Sequence, residues 1–80
     1  MLRIGANSKL VPQEVIERAK KFFGEGYGLK LSESSEVGAS FEGGGGGVIV
    51  SAIPEGTGSS VDIESHEWDY QVKEFLGQIK

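Results

Sequence analysis

The chain has 80 residues, 38% hydrophobic and 25% charged, which is typical of one small globular domain covering residues 1–80. It has no cysteine and a single histidine, which excludes disulfides, thiolate nucleophiles and cysteine-ligated metal sites. Twelve acidic residues outnumber eight basic ones, and the resulting net charge of −4 opposes binding to a nucleic acid backbone.

The first predicted element is an amphipathic helix that starts near Pro12, which suits a first helical turn because it has no N–H to satisfy. Apolar residues then recur at helical spacing. They are Val15, Ile16, Ala19, Phe22 and Phe23. Helices often end at a glycine whose backbone adopts the left-handed conformation, so we expect the helix to stop at Gly24.

The middle of the chain changes to a period of two, which predicts four strands. Their apolar residues are Leu29 and Leu31, then Val37, Ala39 and Phe41, then residues 48–53, then Val61 and Ile63. Short turn-forming connections favour an antiparallel meander. A further short edge strand at residues 2–4 is left open.

A second amphipathic helix is predicted at the carboxyl end, with Ser65 or His66 as its cap. Its apolar stripe consists of Trp68, Val72, Phe75, Leu76 and Ile79. Both helices need an apolar surface, and only one face of the meander offers a large one. The predicted fold class is therefore α+β, with a four-stranded antiparallel sheet and both helices on one face.

The opposite sheet face is expected to be mostly polar and open to solvent. Its predicted residues are Lys30, Ser32, Ser40, Glu42, Ile49, Ser51, Ile53, Asp62, Glu64 and His66. Ile49 and Ile53 are the apolar exceptions, and they motivate an interface with a second copy or another protein.

Five consecutive glycines occupy residues 43–47. A phosphate-binding loop would lead into a helix and carry a lysine, whereas here a strand signal follows. The favoured interpretation is a flexible hairpin connection, with a mobile lid or a backbone anion contact as alternatives.

Asp62, Glu64 and His66 alternate along one strand and could face a divalent metal together. Three successive outward positions are about 6.5–7 Å apart, which is too spread for one ion. We therefore expect a solvated face and no metal site. No nucleophile–base motif is recognisable either, so neither catalytic residues nor a cofactor is predicted.

The order of helix, antiparallel strands and long carboxyl-terminal helix resembles a reduced helix-grip domain of the Bet v 1, START and polyketide-cyclase kind. Residues 58–80, with Glu67-Trp68-Asp69-Tyr70 and Phe75-Leu76, carry this resemblance, which is shared with short bacterial proteins of unknown function. The resemblance implies an apolar ligand held between sheet and helix. The residues that would line this ligand site are Phe41, Val50, Ile63, Trp68 and Phe75.

Two functions follow as expectations. The first is a non-catalytic interaction domain, homodimeric or bound to a protein partner. The alternative is a binder of a small apolar ligand. No apolar run reaches the roughly 20 residues of a membrane span, so a cytoplasmic location without a membrane partner is expected.

Overall fold

The computed structural model describes residues 2–80. Its strands are β1 (Leu2–Ser8), β2 (Lys30–Ser34), β3 (Gly38–Gly43), β4 (Gly46–Glu55) and β5 (Gly58–His66). The helices are α1 (Pro12–Ala19), continued by a π-helical segment (Lys20–Gly26), and α2 (Asp69–Ile79).

All five strands pair antiparallel in the order β1-β5-β4-β3-β2. The α+β class is confirmed, with one strand more than the predicted four. The strand left open at residues 2–4 exists and runs on to Ser8, where it forms one edge of the sheet. α1 and its π-helical extension carry the chain across the sheet, since β1 and β2 lie at opposite edges.

One face of the sheet carries the hydrophobic core. Alternate residues of the inner strands are fully buried there, and both helices contribute to the same cluster. α1 packs mainly on β4 and β5, whereas α2 packs on β5 and β1. Leu31, predicted on this face, lies beyond the helices on edge strand β2 and is 42% exposed. Neither helix within residues 2–80 is long and apolar enough to cross a membrane.

The predicted end of the first helix at Gly24 is wrong. The helix widens after Ala19 into the π-helical segment, and the residue with positive φ is Gly28. A π-turn brings residues five apart into register. The rings of Phe22 and Tyr27 accordingly lie 5.3 Å apart.

The predicted cap of the second helix is also wrong. Ser65 and His66 still belong to β5, where Ser65 pairs with Leu2 and His66 with Gly47. The helix starts at Asp69, and Trp68 precedes it without a side-chain cap. Glu67, with φ of 69°, turns the chain from strand into helix.

The glycine run is a tight hairpin rather than a loose connection. Gly43 pairs with Gly46, which leaves a two-residue turn of Gly44 and Gly45 with φ of 60° and 80°. Positive φ at both positions is the signature of a type I′ turn, which suits the twist of a hairpin. A Cβ at Gly46 would lie 2.0 Å from the carbonyl oxygen of His66, so this position must be glycine for the hairpin to pack against the β5–α2 turn.

The buried serines of the sheet differ in whether their hydroxyl groups have a hydrogen-bond partner. Ser59 donates a hydrogen bond to the carbonyl of Leu10 at 2.6 Å, and Ser8 donates one to the carbonyl of Ile79. Among residues 2–80, no group hydrogen-bonds the Oγ of Ser65, which is fully buried. An unpaired buried hydroxyl costs free energy that a paired one does not.

We expect Ser65→Ala to leave the free energy of unfolding unchanged or to raise it by about 1 kcal/mol, because it removes an unpaired hydroxyl. The matched variant Ser59→Ala should lower it by about 1–2 kcal/mol, because the carbonyl of Leu10 loses its donor. Urea unfolding followed by circular dichroism measures both. Equal destabilisation by the two variants would contradict the assignment of Ser65 as unpaired.

Gly77 and Gly46 should respond in opposite directions to alanine. Gly77 lies in α2, and a Cβ there would meet nothing within 4 Å, so Gly77→Ala should raise the free energy of unfolding by up to about 1 kcal/mol. Gly46→Ala should lower it severely, because the new Cβ overlaps backbone. Thermal melts of both variants distinguish these outcomes, and a Gly46→Ala protein as stable as wild type would contradict the close approach.

Candidate functional site

Both helices pack on one face of the sheet, and within residues 2–80 no helix covers the other face. Directly paired residues of antiparallel strands share a face, so the register assigns each position. The row through Ile49 continues into Ser40 and Glu33 on one side and into Glu64 and Arg3 on the other. We call this surface, formed by the outward residues of all five strands, the open face.

The centre of the open face is apolar. Ile49 and Ile53 project from β4, the middle strand, and are 47% and 58% exposed. Ile49 pairs with Ser40 on β3 and with Glu64 on β5, and Ile53 pairs with Ser60. Both predicted interface residues therefore lie on this face, on one strand and separated by Ser51.

Charge is carried by the sides of the open face. Arg3 Nη2 donates a 2.8 Å hydrogen bond to Asp62 Oδ2, and Arg3 Nη1 lies 3.7 Å from Glu64 Oε1. This hydrogen bond, helped by the charge of the guanidinium, holds the pKa of Asp62 below its ordinary value. The pKa of Arg3 rises for the same reason. Arg3 thus pairs with Asp62 and lies within ion-pair distance of Glu64, both on β5.

This pairing also accounts for two of the three residues considered as metal ligands. Asp62 and Glu64 face Arg3, whereas His66 lies at the end of β5, opposite Gly47. Within residues 2–80, no three histidine or carboxylate side chains are grouped closely enough to hold a metal ion. The sequence pattern did not reveal Arg3 as the partner, because only the β1–β5 register brings it there.

A groove of about 510 Å³ lies at the glycine end of the open face. Gly47 gives it depth, since this outward position of β4 carries no side chain. Glu42, Glu64 and His66 are among its lining residues. It offers carboxylates and one imidazole to whatever covers this end of the sheet.

The residues predicted to line an apolar ligand site lie within the core. Phe41, Val50, Ile63 and Phe75 are buried, with exposures of 0–1%, and Trp68 packs partly buried against them.

The ring of Phe23, from the π-helical segment, lies 5.6 Å from that of Phe41 and 5.3 Å from that of Phe75. Phe23 therefore occupies the space between the sheet and α2. A ligand held there would have to displace these rings.

Trp68 is fixed by the hairpin and by a neighbouring ring. Its Nε1 donates a 3.0 Å hydrogen bond to the carbonyl of Gly43, and its ring meets that of Tyr27 edge-on at 5.8 Å. The Tyr27 hydroxyl donates to Glu74 at 2.8 Å, and this bond raises the pKa of Tyr27. The indole thus ties together the β3–β4 hairpin and the start of α2.

Comparisons with known proteins give no counterpart: no family model, curated protein or solved structure matches this chain. The candidate site therefore depends on its own geometry, in which an apolar centre is flanked by compensated charge.

Arg3→Gln should return the pKa of Asp62 to the ordinary carboxyl value, which carboxyl NMR titration measures. The lowered pKa of Asp62 gives stability above its unfolded-state pKa, and this is lost as the pH falls through the lowered value. The variant should lack that part of the acid sensitivity. Arg18→Gln, which removes the partner of Glu14 instead, is the control. An unchanged Asp62 titration in Arg3→Gln would contradict the pairing.

Proposed function

We propose that this chain is a non-catalytic interaction domain that binds a second copy of itself through the open face. The observation that carries this proposal is the exposed pair Ile49 and Ile53 on the central strand of an uncovered sheet face. Interfaces combine an apolar centre with a polar rim, and the open face has both.

The size of the face fits a dimer. β4 has ten residues, which gives roughly 33 Å at about 3.3 Å per residue, and five strands about 4.8 Å apart span roughly 20 Å. A surface of this extent is close to the ~800 Å² per partner of a standard interface. A small domain that leaves one sheet face to solvent also gains from covering it, because chains of this length bury only about 60% of their surface alone.

The edge strands offer less to a partner. β2 carries a bulge between Leu31 and Glu33, and a bulged, charged edge resists pairing with another strand. β1 is regular, so pairing along β1 is the competing arrangement for two copies. It would leave Ile49 and Ile53 exposed, which favours the face.

The alternative function, a small apolar ligand between the sheet and α2, finds less support. Phe23 fills the space that such a ligand would take. We therefore propose that the predicted lining residues act as core.

Ile53→Asp should weaken self-association about tenfold or more, because it places a charge at the apolar centre of the interface. Sedimentation velocity over a concentration series measures the dissociation constant. Tyr70→Asp is the matched control, since Tyr70 is a 72% exposed apolar residue on α2, away from the open face. It should leave association unchanged.

Circular dichroism of both variants shows whether the fold persists. A wild-type chain that stays monomeric at millimolar concentration would overturn the proposed function. So would a dimer that Ile53→Asp does not weaken.

A further inference from the structure

We infer that the second copy packs face to face about a two-fold axis that runs along β4. This inference rests on the proposed function and adds the arrangement of the two copies and the residues that recognise each other. The strand order carries it, because β4 is the middle strand with two strands on each side. Aligned sheets keep their strand directions within about 30°, which such an axis satisfies.

The axis brings the apolar residues together. Residues on β4 lie on the axis, so Ile49, Ser51 and Ile53 each face their own copy. The two isoleucines of one protomer then cover those of its partner, and only the small hydroxyl of Ser51 lies between them. An isologous interface of this kind needs a self-complementary surface, and the apolar centre provides it.

The same axis exchanges β5 with β3 and β1 with β2, which pairs opposite charges. In the row through Ile49, Arg3 at one end comes to lie opposite Glu33 at the other. Arg3 then forms an ion pair with Glu33 of the other copy in addition to the one with Asp62 of its own chain. Glu64 faces the uncharged Ser40 of the partner.

A second pair arises in the row through Gly47. There His66 on β5 and Glu42 on β3 flank Gly47 at equal distance from the axis. The imidazole of one protomer therefore faces the carboxylate of the other. Gly47 lies on the axis beside them and has no side chain, so the groove at this end leaves room for both groups.

The other two-fold axis available to stacked sheets runs across the strands and is disfavoured by charge. It would be centred on the row of Ser51, which contains Asp62. Asp62 of one protomer would then face Asp62 of the other across the interface. Like charges in opposition weaken association. The axis along β4 avoids this, because it places Asp62 opposite Gly38.

Charge exchange between residues 42 and 66 tests the axis. Glu42→Lys and His66→Glu should each weaken the dimer about tenfold, because each places like or non-complementary groups together twice per dimer. The double variant Glu42→Lys/His66→Glu should restore the dissociation constant to within about threefold of wild type. An equimolar mixture of the two single variants should form the heterodimer in preference to either homodimer, as measured by native mass spectrometry.

Glu25→Lys is the matched control, since it makes the same charge change at an exposed position on the π-helical segment. It should leave the dissociation constant unchanged, which separates a local pairing from the effect of net charge.

The outcomes distinguish this inference from the proposed function. Suppose that Ile53→Asp disrupts the dimer, but that Glu42→Lys/His66→Glu associates no better than its two single variants. That result would overturn the axis along β4 and leave the open face as the interface. A monomeric wild-type chain, or a dimer indifferent to Ile53→Asp, would overturn both. Restoration in the double variant, together with preferred heterodimer formation, supports the axis and the contact of His66 with Glu42 of the partner.

Discussion

One-sided burial of the sheet is the constraint on which the rest of this structure depends. Two helices with apolar stripes share a single face, and Phe23 joins them by meeting Phe41 below and Phe75 beside it. Once both helices lie on one side, no element within residues 2–80 is left to cover the other side. The open face is therefore a consequence of how the core is built.

The glycine run belongs to the same design. Thirteen glycines would be costly in a small domain if they only loosened the chain. Gly44 and Gly45 form the turn, and Gly46 lets the hairpin approach the carbonyl of His66. The indole of Trp68 closes over this approach and takes up the carbonyl of Gly43. These glycines therefore allow close packing of the hairpin instead of making the chain flexible.

The open face combines features that are separately ordinary. An exposed isoleucine is common on protein surfaces, and exposed ion pairs such as that of Arg3 with Asp62 contribute little to stability. Their arrangement about the central strand is the informative part, because apolar groups lie on β4 and opposite charges lie at matched distances on either side. In the proposed dimer, this arrangement allows the open face to recognise its own copy without an additional binding pocket.

The amino-acid sequence alone predicts the fold class, the two helices and the alternation that separates the core face from the open face. These follow from local periodicity, which the residues of one element carry within themselves. The alternation predicts buried Val48 and Val50 and an exposed Ile49 without knowledge of any partner strand, and the structure has them so.

The order of the strands and the end of the first helix depend on tertiary packing and could not be predicted from local patterns. The pairing of β1 with β5 joins residues some 60 positions apart, so nothing local in residues 2–8 indicates that Arg3 meets Asp62. The extension of the helix to Gly26 likewise depends on rings packed from α2 and β3, which a local glycine signal at Gly24 could not anticipate. Contacts between distant segments are set by the whole packing, and a local pattern contains no information about them.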